Sequence, residues 1–191
     1  GDSIRFYEDM HVDHKRLSHE EAMQAIYIKG RDNARTPVQW DASANAGFSP
    51  EGVTTWINVN PNYPAINAEA VLADEDSIFY HYQQLVALRR GELKDLMVYA
   101  SFAPVDSVQV PHDEDEAVYA YTRTGGADGS PANESLLVIS NFTAEEQERD
   151  FALLNEAREA GARVELVSSN YKDDAGSTLR PYEAKVYHIV R

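Results

Sequence analysis

Beyond Gly91 the chain changes character, and that change constrains its fold more than any other feature. Leu96 to Phe102, Ala117 to Thr124, Ser135 to Phe142, Glu148 to Leu153, Arg163 to Ser168 and Ala184 to Val190 are short and rich in β-branched or aromatic residues. Turn chemistry such as Gly125-Gly126 and Asp174-Ala-Gly176 separates them. Strands this short cannot bury two faces singly, so six of them predict an antiparallel sandwich or barrel.

The first half reads differently. Ser18 to Gly30 predicts a helix, with Ser18 as N-cap, Glu21 completing a capping box, Ala22 and Ile26 on one face and Gly30 as the stop. Asp76 to Gly91 predicts a second, capped by Asp76, apolar at Ile78, Phe79, Tyr82, Leu85, Val86 and Leu88, and closed by Gly91. Between them, residues 31–63 have no periodicity. Loops of this length are either functional or disordered, and Trp40, Phe48, Trp56 and Tyr63 are costly to leave in water, so an ordered loop packed on something large is expected. The domain boundary falls at about residue 93, with helix and loop in 1–93 and the β-domain in 94–191.

Composition excludes several classes of function. A net charge of −15, from 32 acidic against 17 basic residues, repels phosphate backbones and anionic lipid surfaces, which argues against nucleic acid as a partner. No apolar run has the length of a membrane span. Without cysteine there is no disulfide framework, thiolate nucleophile or Cys-ligated zinc, in keeping with a cytoplasmic setting. The opening Gly1-Asp2-Ser3 lacks an initiator Met and looks like an excised piece.

One segment carries specific chemistry. Arg31-Asp-Asn-Ala-Arg-Thr-Pro-Val-Gln-Trp-Asp41 sets two Arg side chains, two carboxylates, two amides and an indole close together in a loop. A guanidinium holds a carboxylate in fixed geometry while presenting further donors to hydroxyl groups, as a polar sugar pocket requires. Alternatively, Arg31 and Asp41 pin the loop by ion pairs and Trp40 is core; for Trp40 the packing reading is favoured, while the residues alone leave both readings of Arg31 open. The six histidines, His11 and His14 included, read as surface residues rather than metal ligands. Asn133-Glu-Ser135 and Asn141-Phe-Thr143 match the glycosylation sequon, a pattern frequent by chance.

The run Arg31 to Asp41, with AGFS (Ala46 to Ser49), WINVNPNY (Trp56 to Tyr63) and DSIFYHYQQLVALRR (Asp76 to Arg90), resembles the oligo-1,6-glucosidase, dextran glucosidase and α-glucosidase branch of glycoside hydrolase family 13. LLVISNFTAEE (Leu136 to Glu146) and TLRPYEAKVY (Thr178 to Tyr187) are similar to that branch's C-terminal β-domain. The resemblance implies a parent enzyme with a (β/α)8 barrel, whose terminal segment is residues 1–93, followed by an antiparallel β-sandwich. It also implies a retaining mechanism with an Asp nucleophile, a Glu acid/base and a second, stabilising Asp, all upstream of the Arg31 motif and none in this chain. By the same resemblance Arg31 contacts the non-reducing glucose, Arg35 stands behind it, and Val38 replaces a Met. The expected partners are a short oligosaccharide and the catalytic barrel, with no cofactor and no metal. Two other readings compete: an inactive α-glucosidase-like scaffold, decided by the upstream catalytic positions, and an isolated carbohydrate-binding module, disfavoured by the lack of an evident row of exposed Trp.

Overall fold

The computed structural model describes residues 2–126 and 131–191. They divide into two compact units, Gly1–Ser77 and Ile78–Arg191.

In the first unit, α1 (Asp2–Tyr7) runs into a π-helical turn over Glu8–Asp13, and α2 (His19–Lys29) follows. The capping box forms as the sequence predicts: the Glu21 amide donates to Ser18 Oγ at 3.2 Å and the Ser18 amide to Glu21 Oε2 at 2.8 Å. The 31–63 stretch is an ordered chain of turns, after which comes a further helix, α3 (Ala68–Ala73). Among the described residues, the only buried apolar side chains of this unit are Ala22 and Ala46. It has almost no core of its own.

The second unit begins with α4 (Ile78–Arg90) and α5 (Lys94–Val98). The antiparallel sheet follows, with β1 (Ser101–Pro104), β2 (Val118–Thr124), β3 (Glu134–Asn141), β5 (Arg163–Ser169) and β7 (Ala184–Val190) in the order β1-β2-β3-β7-β5. A two-stranded ladder pairs β4 (Gln147–Glu148) with β6 (Thr178–Leu179), and α6 (Ala152–Glu159) lies between β4 and β5 in sequence. Side chains alternate across the strands. Val118, Ala120, Leu137, Ile139, Tyr187 and Ile189 turn to one face, where Phe151, Leu154, Ala157 and Leu179 close a two-layer sandwich over them. Leu136 and Val186 turn to the other, against Leu93, Leu96 and Ala100, and Arg123 Nε donates to Leu96 O at 3.3 Å.

Several expectations need correction. Leu96 to Phe102 is not one strand: residues 94–98 are helical because Leu96 packs as part of a short helix under Leu136, and the strand starts at Ser101. Glu148 to Leu153 ends as a strand at Glu148, since Ala-Leu-Leu-Asn-Glu-Ala-Arg-Glu is built from strong helix formers that bury Leu154 and Ala157. The second long helix, by contrast, runs Ile78–Arg90 within the predicted span, and the Asp76 amide donates to Asp74 Oδ1 at 3.0 Å. Within the acidic run Asp113 to Glu116, the Asp115 side chain is 4% exposed and takes two bonds from Arg149, at 2.7 and 3.1 Å. His188 is buried rather than superficial, with Nε2 2.7 Å from Glu134 Oε2.

Two polar knots hold the segment before β7 onto the sheet. Asn141 is 3% exposed, and its amide donates to Glu145 O, Leu179 O and Arg180 O at 2.8–3.3 Å. Lys185 is wholly buried, and its Nζ donates to Asp174 Oδ1 (3.2 Å), Gly176 O (3.0 Å) and Thr178 O (3.2 Å). Glu183, equally buried, lies 3.6 Å from that ammonium and 2.7 Å from Arg180 Nη2. Tyr187 donates its hydroxyl to Asp174 at 2.8 Å, and Arg180 stacks 4.0 Å over the Tyr171 ring. Burial works to raise the Glu183 and Asp174 carboxyls, but hydrogen bonds from Arg180, and from Tyr187 and Gly176, together with the nearby cations, pull both below their ordinary values of 4.5 and 3.8.

Removing one partner of a buried ion pair leaves the other uncompensated, at a cost of about 3–5 kcal/mol. Lys185→Ala therefore lowers stability by about that amount, read from urea unfolding followed by circular dichroism. A carboxyl whose folded pKa is depressed contributes stability that is complete above its unfolded pKa and is lost as pH falls through the folded one. The urea midpoint is accordingly expected to be level above about pH 5 and to drop steadily below about pH 4; a midpoint flat down to pH 2 contradicts the pairing.

Candidate functional site

The Arg31 motif lies in the first unit, directly after α2. Gly30 makes the turn possible by close approach rather than by unusual dihedrals: its amide donates to Ile26 O at 2.6 Å, and a Cβ there would stand 2.5 Å from that oxygen. Residues Asp32–Ala34 then form one 3-10 turn, with Ala34 N donating to Arg31 O at 3.1 Å and Arg35 N to Asp32 O at 3.0 Å. That turn projects both guanidiniums outward, and both are exposed.

Three clefts meet at this turn. One, of about 320 Å³, is lined by Phe6, Ile26, Lys29, Arg31, Asp32 and Arg35. A second, of about 650 Å³, runs past Arg5, Asp32, Arg35, Trp56 and Asn60. The third, of about 400 Å³, is apolar, with Val38, Phe48, Val53 and Trp56 on its walls and Arg35 at its edge. Of the three, Arg31 lines the first, whereas Arg35 borders them all. Asp32 is the carboxylate common to the first two.

A polar framework orders the loop around these clefts. Gln39 Nε2 donates to Asn62 Oδ1 at 2.9 Å and to Ile66 O. The backbone carbonyls of Gln39 and Trp40 accept from Ala68 and Glu69 at 2.9 and 3.0 Å, which seats the start of α3 on the motif. Asn67 is buried; its Oδ1 caps α3 through Ala70 N and its Nδ2 reaches Tyr63 O, both at 2.8 Å. Ala46 O accepts from the Trp40 and Asp41 amides at 2.8 and 3.3 Å. The chain makes this turn through three successive left-handed residues, Asn45 (φ 54°), Ala46 (φ 56°) and Gly47 (φ 66°). At Gly47 any side chain would also collide with the Asp41 carboxylate, 2.6 Å from where its Cβ would lie.

Asp41 does not pair with Arg31. It accepts from the Ser43 hydroxyl and amide, which hold its carboxyl below the ordinary value. Trp40 is 54% exposed and so is not core, contrary to the packing reading, while Trp56 is 89% exposed at the cleft wall. Sequence reasoning did not single out Gln39, Asn67 or Trp56 for these positions. Asn67 was detectable, since an Asn directly before Ala-Glu-Ala-Val-Leu-Ala has the composition of an N-cap.

Residues 1–99 match the family model of the α-amylase catalytic domain. The chain belongs to the α-amylase family. It is 42% identical to the oligo-1,6-glucosidase of Bacillus cereus over 174 residues, covering 89% of this chain and 28% of that protein. It is 35% identical to the trehalose-6-phosphate hydrolase of Bacillus subtilis, covering 99% of this chain and 32% of that one. Among solved structures, the trehalose-6-phosphate hydrolase of Bacillus licheniformis aligns over the whole chain and 31% of its own, at 36% identity and a TM-score of 0.78. The isomaltulose synthase of Klebsiella sp. LX3 aligns over 98% of this chain and 31% of its own, at 30% identity and a TM-score of 0.74. This α-amylase family chain thus spans less than a third of the length of these relatives. Among the described residues, no helix is long and apolar enough to cross a membrane.

The Asn67 side chain satisfies a helix end and a loop carbonyl at once. Asn67→Ala is expected to destabilise the first unit by about 1–3 kcal/mol and to speed hydrogen exchange at the Ala70 amide. Unchanged exchange there removes Asn67 as the tie between loop and helix.

Proposed function

We propose that this chain is the C-terminal part of an α-glucosidase that cleaves terminal α-glucosidic bonds, α-1,6 or α-1,4, of short glucose oligosaccharides with retention of configuration. Residues 1–93 are the end of its catalytic barrel and residues 94–191 its β-domain. The observation that carries this reading is the turn at Arg31 to Arg35, which presents two guanidiniums and the Asp32 carboxylate to shared clefts in a segment matching a glycosidase catalytic domain. The relatives, oligo-1,6-glucosidase and glucan 1,6-alpha-glucosidase among them, support the substrate class.

In this reading Arg31 donates to hydroxyls of the non-reducing glucose and to a carboxylate of the preceding barrel, and so closes the inner end of the pocket. Arg35, at the junction of the three clefts, holds the turn and faces the outer sugar. The catalytic Asp and Glu belong to the preceding polypeptide, since retaining chemistry needs a nucleophile and an acid/base flanking one bond and the resemblance sets both before Arg31. A neutral sugar suits a chain of net charge −15, because no charged substrate group has to approach it.

Hydrogen bonds to a charged group contribute about 1.5–3 kcal/mol each. In the full-length enzyme Arg31→Ala is expected to lower kcat/KM for isomaltose or maltotriose by about 10- to 100-fold, with thermal unfolding unchanged; Arg31→Lys, which keeps the charge and loses the fork, is expected to fall between. Wild-type kinetics in Arg31→Ala take that residue out of the pocket. The 191-residue chain alone is expected to leave p-nitrophenyl α-glucoside intact, and measurable turnover by it overturns the assignment of the acids to the preceding polypeptide.

A further inference from the structure

With so little core in the first unit, its helices have to be held by other contacts, and α1 and α2 meet through one made of titratable rings. The Tyr7 hydroxyl lies 2.8 Å from His19 Nδ1, and His11 Nδ1 lies 3.0 Å from Leu17 O. Ring centroids are 5.0 Å apart for Tyr7 and His11, 5.7 Å for Tyr7 and His19, and 6.0 Å for the two imidazoles. Tyr7 ends α1, His11 sits in the π-helical turn and His19 opens α2. The three rings therefore fasten the α1–α2 hairpin at its bend. Toward the far end of α2 the same two helices supply walls of the cleft of about 320 Å³ that Arg31 lines, Ser3 and Phe6 from α1 and Ala25, Ile26 and Lys29 from α2.

Imidazole is the side chain whose charge changes between about pH 5 and 8. With both rings neutral, every contact is satisfied: a carbonyl only accepts, so His11 donates to Leu17 O, and His19 Nδ1 accepts from the Tyr7 hydroxyl. A proton on His19 Nδ1 removes that acceptor. It also sets a positive charge on the first residue of α2, where the free amides of the helix end already present one. A further proton on His11 places like charges on neighbouring rings. The other charged side chains of these elements are Arg5 on α1, Glu8, Asp9 and Asp13 in the turn, His14, Lys15 and Arg16 in the connection, and Glu20 and Glu21 in the first turn of α2. Asp9 lies 3.4 Å from His14, and Glu21 takes the Ser18 amide. Among the described residues no carboxylate bonds His11 or His19, so added charge meets no direct partner.

We propose that Tyr7, His11 and His19 form a proton-sensitive clasp on the wall of the Arg31 cleft. Neutral rings hold α1 against α2 and keep that wall in place; acidification releases it and weakens sugar binding rather than the chemical step. The regulation deepens the reading of this cleft as a glucose pocket and rests on it.

Hydrogen exchange of the full-length enzyme without sugar, read over peptides of α1 and the π-helical turn and corrected for the intrinsic rate, tests the clasp. Protection is expected to fall by about threefold to tenfold between about pH 7.5 and about pH 5.5. His19→Asn sets an amide oxygen in the place of Nδ1, keeping an acceptor for Tyr7 that gains no charge, and is expected to stay protected at both values. Tyr7→Phe is expected to lack the protection at both. KM for isomaltose is expected to rise on acidification in the wild type by the same factor and not in His19→Asn, while kcat follows one pH profile in the two. Equal pH dependence of exchange in wild type and His19→Asn overturns the proposal, as does full protection of Tyr7→Phe at the higher pH. Release of α1 with the same KM profile in both enzymes overturns it too, by cutting the clasp from the cleft. Because exchange is read without sugar, an enzyme that turns over no isomaltose at either pH counts against the glucosidase reading alone.

Discussion

A lysine ammonium cut off from water has to find its charge partners inside the protein, and at Lys185 that requirement organises much of the second unit. Its three acceptors, the Asp174 carboxylate and the carbonyls of Gly176 and Thr178, all come from the crossover that returns the chain to β7. Holding that crossover brings Leu179 down onto the core and closes the second layer of the sandwich. Glu183 balances the charge from the other side and passes it to Arg180, which reaches Asp173 at 2.8 Å. An apolar residue at 185 could fill the same volume, but it would leave the Asp174 to Thr178 stretch without its ammonium tie. The ionic knot therefore selects one arrangement of a segment with little regular structure of its own.

Where hydrophobic alternation was strong, the sequence was readable. Val118 to Thr124 and Ala184 to Val190 form strands at their expected places because each alternates toward a face that the structure buries, and the Leu136 to Ile139 run does so because both of its faces are covered. Where an apolar run was short, it was ambiguous. Phe151-Ala-Leu-Leu serves a strand or a helix equally well, and only the following Asn-Glu-Ala-Arg-Glu, with Leu154 and Ala157 turned inward, settles it as a helix. β6 is two residues long and is held by Lys185 and Asn141 rather than by pattern, so no periodicity could have announced it.

The candidate site was legible in part. Its proposed place came from the resemblance of the Arg31 to Asp41 run, with which two guanidiniums and a carboxylate in an aperiodic loop are in keeping. Its internal order did not, because Gln39 reaches Asn62 and Ile66 across separations that no local rule connects, and only the Asn67 cap is local. The exposure of Trp40 and Trp56 was equally hidden, for the indole is apolar enough to suggest a core that this unit does not contain. The cluster of Tyr7, His11 and His19 escaped notice for a related reason: its rings come from three elements and become neighbours only once α2 folds back on α1.

Asn141 closes its amide around three carbonyls and turns its oxygen to the Thr143 amide and hydroxyl. The same Thr143 hydroxyl completes the acceptor sequence for N-linked sugars, so one pair of side chains satisfies both a chemical consensus and a structural knot. The two uses exclude each other. A glycan on Asn141 would put a bulky polar branch where the crossover must lie against β3, and a polypeptide modified there could not close this domain.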